Sequence, residues 1–324
     1  SIIEYFATKD SSSADLMNGI TTDWTRIKGG DSIQTLLTKI LQQYNFEKPQ
    51  MSVTDLIRLY KTLQNIPDQN NWVKLKMAAL QQLIMDCIGL YTEAVTDNEY
   101  AIQGEKFTAN FFINNRLGNN VRVDNIQLQD EQGAIIDTNL SMKLSPNQNV
   151  SFAKQFQIDN QKKISQTYWL ESPMNNGMFT INNPSLIGFA ENSEAYTASF
   201  YVTIEGVSFV VKKPLQYKYV DPVKGELFQP VVVTPPFIVS LSPANILVNT
   251  KPDNRFTKNK IVQLQCKSLI NSINTKAKIQ IKQGEKIVFE MDTLLSFSAG
   301  KTFMMDFSLQ KIYLNNADKN LSVS

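Results

Sequence analysis

Two spacings of apolar residues divide the chain near Asn98. Before it they recur at three and four, the period of a helix with one buried face. In "DSIQTLLTKILQQY" the stripe is Ile33, Leu36, Leu37, Ile40, Leu41 and Tyr44, with Asp31 as N-cap and Gln34 placed for a capping box. A second helix opens at Ser52 and carries Val53, Leu56, Ile57, Tyr60 and Leu63 until Pro67 stops it. A third, "NNWVKLKMAALQQLIMDCIGLYTEAVTD", aligns Trp72, Leu80, Leu83, Ile84, Cys87, Tyr91 and Ala94. Three such stripes can bury one another, which predicts a small helical bundle.

After Asn98 the period drops to two. Phe107, Ala109, Phe111 and Ile113 alternate with polar residues, as do Val150, Phe152, Phe156 and Ile158. Ala198, Phe200, Val202 and Ile204 lead through Glu205-Gly206, a tight hairpin turn, into Val207, Phe209 and Val211. Further on, Val262, Leu264 and Cys266 face one side. Ala277, Ile279 and Ile281 oppose a row of Lys276, Lys278, Gln280 and Lys282, which reads as a solvated outer face. The predicted fold class is therefore α+β and multidomain: an N-terminal helical bundle followed by two antiparallel β-sandwich domains. The expected divisions are an extended linker at 1–30, three helices at 31–98 and a sandwich at 99–221. A proline-rich connector at 222–243 and a second sandwich at 244–324 complete them.

That connector is stiffened by Pro222, Pro230, Pro235, Pro236 and Pro243, which fix φ and remove backbone donors. The opening "SIIEYFATKD" and the strand-like ending "DKNLSVS" are expected to be cut from a longer protein.

Composition narrows the chemistry. The 324 residues carry 32 Lys and Arg against 30 Asp and Glu, a net charge of +2 with no basic block, so a nucleic-acid partner is not expected. No apolar run is long enough to predict a membrane span. There is no histidine, which removes Ser-His-Asp and Cys-His chemistry and the commonest zinc ligand together. The two cysteines, Cys87 and Cys266, read as buried free thiols. Glu171, Glu191, Glu194 and Asp221 are carboxylates available for acid–base work, yet solvated loop positions account for them. The chain alone is not expected to be an enzyme and is expected to hold no cofactor. Tyr168, Trp169 and Phe179 are the candidates for stacking on sugar rings, with Tyr201, Tyr217 and Tyr219 behind them; filling sandwich cores is the competing account.

The segment from Thr167 to Pro236 resembles the non-catalytic region of long bacterial PIG-L/LmbE-like deacetylases. The residues that carry the likeness are Tyr168-Trp169-Leu170, Gly177-Met178-Phe179, Ser185-Leu186-Ile187-Gly188, Tyr219-Val220-Asp221-Pro222-Val223-Lys224-Gly225-Glu226 and Pro235-Pro236. The stretch Asp15–Ile27 looks like the segment just after the catalytic domain in that family. The resemblance implies an accessory region of a zinc-dependent sugar N-deacetylase, serving as spacer or glycan-contacting module. Its zinc and its catalytic domain would lie before Ser1, with that domain as partner against Leu16, Ile20 and Trp24. It also implies the periplasm or cell envelope. The alternative is a self-standing carbohydrate-binding or adhesion protein without catalysis.

Overall fold

The computed structural model describes residues 19–67, 69–243, 261–283, 286–308 and 321–323. Three helices come first, α1 (Gly30–Gln43), α2 (Val53–Gln64) and α3 (Asn71–Ile88). Their buried faces include Ile33 and Ile40 on α1, Leu56, Leu59 and Leu63 on α2, and Val73, Leu80 and Ile84 on α3. Asn70 caps α3 by accepting the Val73 N–H. The capping box expected at Asp31 does not form. The Gln34 Oε1 accepts instead from the Trp24 N–H, tying a short 3₁₀ turn (Trp24–Arg26) to the start of α1. Trp24 is buried there against Trp72, ring centroids 4.3 Å apart, whereas Ile20 is 58% exposed and Leu16 lies outside the described residues.

The third helix stops earlier than its apolar stripe predicts. Gly89 takes the left-handed conformation at φ 60° and closes α3, and the chain turns directly into β1 (Leu90–Thr96). Tyr91 and Ala94 therefore belong to a strand. Their spacing fits a helix, but "LYTEAVT" also alternates and holds β-branched residues that suit a sheet.

The described residues fall into two compact units that interleave along the chain. The first holds those up to Asp97, with Thr108–Phe156 and Ser193–Val231. The second holds Asn98–Phe107, Gln157–Asn192 and those from Val232 onward. After β1 come β2 (Tyr100–Ile102), β3 (Lys106–Asn115), β4 (Val121–Asp130), β5 (Gly133–Lys143) and β6 (Val150–Gln157). Next are β7 (Thr197–Ile204), β8 (Val207–Pro214), β9 (Gln216–Asp221) and β10 (Gly225–Pro230). One sheet has the order β10-β9-β1-β3-β6 and another β5-β4-β7-β8. Alternation places Phe107, Ala109, Phe111 and Ile113 of β3 and Ala198, Phe200, Val202 and Ile204 of β7 inside, all fully or nearly fully buried. The Glu205-Gly206 hairpin forms with both residues at positive φ, 46° and 79°, joining β7 to β8.

The remaining strands are β11 (Val232–Thr234), β12 (Phe237–Ser242), β13 (Ile261–Ser268), β14 (Ser272–Gln283), β15 (Lys286–Phe297), β16 (Thr302–Ser308) and β17 (Leu321–Val323). They make the parallel pair β11-β2 and the sheets β12-β13-β16 and β15-β14-β17. Leu264, Ile279 and Phe307 form their buried cluster, with Leu241, Met291 and Met305 packed against it. Among the described residues β1 pairs with β9 and β2 with β11 in parallel, and the sheets are otherwise mostly antiparallel.

Residues 222–243 thus form three strands where an extended connector is predicted. Among the described residues β10, β11 and β12 all lie at sheet edges, positions that tolerate proline. Pro222 sits in the β9–β10 turn, Pro230 ends β10, Pro235 and Pro236 separate β11 from β12, and Pro243 follows β12.

Candidate ligand-binding site

Three short segments of the second unit enclose an open cleft of about 400 Å³. The first is built on β2. Its parallel pairing sets Ala101 opposite Val233, both buried, so the neighbouring Tyr100 and Ile102 point the other way, into the cleft. Beyond Ile102 the chain reverses through Gly104, at φ 82°. A Cβ there would come within 2.5 Å of Asn160 Oδ1, so glycine lets the two segments approach. The Gly104 N–H donates to the Ile158 carbonyl at 3.1 Å, and the Ile158 N–H to the Glu105 carbonyl at 2.9 Å. Glu105 and Lys106 are thereby presented, exposed, on the rim.

The facing wall is the turn after β13. Buried Ser268 donates through its hydroxyl to the Ile270 carbonyl, and Leu269 N–H donates to the Pro236 carbonyl. Asn271 accepts the Ala299 N–H on its Oδ1 at 2.9 Å, which fixes the side-chain amide. The cleft's lining combines the apolar residues Ile102, Phe107, Leu269 and Ile270 with the polar residues Asn98, Asn271, Glu105 and Lys106 and with Tyr100, which is 44% exposed. A hydrogen bond to the Glu99 carboxylate, then that group's charge, push the Tyr100 phenol above its ordinary range. The ring is neutral at physiological pH. Apolar, aromatic and hydrogen-bonding residues thus share one open cleft, the mixture that small-ligand sites use.

Of the predicted aromatics, Tyr168 is buried, its ring edge-on to Trp169 and its hydroxyl donating to the Phe189 carbonyl. Trp169 is half-buried and Phe179 exposed; neither lines the cleft. Tyr217 and Tyr219 stack on each other, 5.2 Å apart, and Tyr201 donates to Gln127. Among the carboxylates, Glu171 is paired with Lys163 at 2.5 Å, which holds it below the usual range. Asp221 accepts the N–H groups of Lys224 and Val223 in the β9–β10 turn. No local signal marks Tyr100 or Asn271 in the sequence, because their neighbourhood depends on pairing between distant segments.

A second constellation lies in the first unit. Lys218 Nζ sits 3.1 Å from Glu93 Oε1 and 3.0 Å from Glu226 Oε2, with the Phe228 ring centroid 5.3 Å away. Burial alone pushes the Lys218 ammonium down, and hydrogen bonds to Glu226 and Glu93 outweigh it, holding it above the usual lysine range. It is a cation held between two carboxylates. Removing the better-buried partner by Glu93→Gln is expected to lower unfolding free energy by about 1.5–3 kcal/mol. Glu226→Gln, on the exposed side, should cost no more than about 1 kcal/mol. Because folding raises the lysine value, the contribution of the Lys218 ammonium is complete from neutral pH to about pH 10.4 and fades as pH rises further. Urea titrations of both variants at neutral and alkaline pH check the ranking and the sign.

No family model matches the chain, and no curated protein matches it in sequence. A solved structure with some similarity is that of Spo0M, a sporulation control protein from Bacillus subtilis. The TM-score is 0.23 at 8% identity, covering 68% of this chain and 90% of that one, a likeness too slight to carry an argument. The resemblance to PIG-L/LmbE-like deacetylases is accordingly corrected: no model of that family matches the chain, and no curated member of it matches in sequence. The zinc and the upstream catalytic domain rested on that resemblance alone.

Proposed function

We propose that this chain is a non-catalytic binding module that takes a glycan in the cleft of its second unit. The observation that supports the reading is that partly exposed Tyr100 shares the cleft with two asparagines, a glutamate, a lysine and several apolar residues. A pyranose offers both halves of that match. Its axial C–H face carries partial positive charge that meets the negative face of an aromatic ring, and its hydroxyls pair with amides and charged groups. On this reading β-sheets serve as scaffold: the two sheets of the first unit stack as a sandwich, as do the two three-stranded sheets of the second.

Titrating a panel of neutral and N-acetylated oligosaccharides into the protein, with binding read by calorimetry, tests the proposal. Tyr100→Ala is expected to weaken binding about tenfold, and Tyr100→Phe to keep most of it. Binding unaltered by Tyr100→Ala, or no binding by any member of the panel, would sink the reading.

A further inference from the structure

The connection between β6 and β7 is far longer than an ordinary loop, and among its residues Leu170, Met174, Met178, Phe179, Ile187 and Phe189 are all exposed. Met178, at 72%, stands furthest out. Scattered apolar residues on a surface need no account, but six within twenty positions do.

Three properties of this loop decide what it meets. The first is charge: from Ser172 to Ala190 there is not one Asp, Glu, Lys or Arg, and no Lys or Arg at all from Ile164 to Val211. Attraction to phosphate or to an anionic lipid surface has no group to act through. The second is the backbone. Asn175 and Met178 exchange both N–H···O=C bonds, at 3.0 and 2.8 Å, around Gly177. Leu186 N–H donates to Asn183, Ile187 N–H to Pro184 and Phe189 N–H to Leu186. These turn tips satisfy several of their own polar groups, which lowers the cost of entering a medium poor in water. The third is the base of the loop, which is polar and anchored. Asn192 accepts the Tyr168 N–H and donates to the Gln166 carbonyl, and the Lys163–Glu171 pair closes the stem. Half-buried Trp169 lies there, packed edge-on against buried Tyr168, and an indole ring favours the headgroup level.

We propose that this loop docks the protein on an electrically neutral lipid surface, Met178, Phe179 and their apolar neighbours entering the acyl boundary. The docking is independent of the glycan reading, since none of these residues lines the cleft.

Flotation with phosphatidylcholine vesicles tests it on the full chain. The protein is expected to float with the vesicles, equally at low and high salt. Met178→Ser with Phe179→Ser should lower the partition coefficient about tenfold or more. Both side chains are exposed, so the double variant folds, as circular dichroism would verify, and it keeps oligosaccharide binding. Phe46→Ser, which removes the exposed aromatic between α1 and α2, should leave flotation unchanged. Absence of flotation on neutral vesicles, a requirement for anionic lipid, or loss of binding on Phe46→Ser would each overturn the proposal. So would self-association abolished by the double variant without any lipid binding, because the loop would then be a contact between copies.

Discussion

Phe111→Ala should destabilise the first unit by about 3–5 kcal/mol, the usual cost of emptying a filled aromatic site in a core. Phe111 lies on β3 with about 1% of its surface exposed. Its ring centroid is 5.3 Å from Phe152 on β6 and 6.3 Å, edge-on, from Phe200 on β7. The first neighbour belongs to its own five-stranded sheet and the second to the four-stranded one. One ring therefore contacts both sheets, and truncation leaves a void with rigid walls on either side. Aromatic pairs add about 0.5–1.5 kcal/mol beyond burial, so the loss belongs toward the upper end. Urea unfolding followed by circular dichroism would show the midpoint fall. A loss under about 1 kcal/mol would mean that the sheets do not depend on this contact, and the stacked arrangement proposed for the first unit would fail with it.

The same contrast shows what a sequence exposes to reading. Alternation at Phe107–Ile113 and Ala198–Ile204 was sufficient to mark β3 and β7, because the inward residues of both runs are apolar and fully or nearly fully buried. The helical stripes were legible for the same reason, though Leu41 and Tyr44 continue theirs without being covered. The end of α3 was not legible from spacing, since Tyr91 and Ala94 satisfy both periods; Gly89 was the discriminating residue. The prolines between Pro222 and Pro243 suggest a connector when strands are imagined as central, and they fit once the strands lie at sheet edges. The cleft was invisible for a deeper reason. Tyr100 and Asn271 are brought together by the β2–β11 pairing and the turn after β13, and neither has a local signature.

Gly30→Ala is expected to cost about 3 kcal/mol, more than Gly29→Ala, although only Gly29 has a positive φ, 85°. The pair in "KGGDS" has no phosphate-loop spacing, and the geometry supplies a different reason for it. Gly29 turns the chain in the left-handed region with nothing within 4 Å of its missing Cβ, so alanine there meets only the conformational penalty, about 1–2 kcal/mol. A Cβ on Gly30 would stand 1.7 Å from the Trp24 carbonyl oxygen and 2.7 Å from its carbon. Backbone atoms cannot swing aside as a side chain does, so the Trp24–Arg26 turn must lift from the start of α1. With it go the bond from Gly30 N–H to Ile27, the Trp24–Trp72 contact and the Arg26 guanidinium 4.3 Å over the Trp72 ring. Unburying a tryptophan sets the ceiling, about 3–5 kcal/mol. Tryptophan emission would report the event directly: a red shift in native Gly30→Ala and none in Gly29→Ala. Equal stability losses without a red shift would show that the turn adjusts in place, and the close approach of Gly30 to Trp24 would then not be what requires glycine.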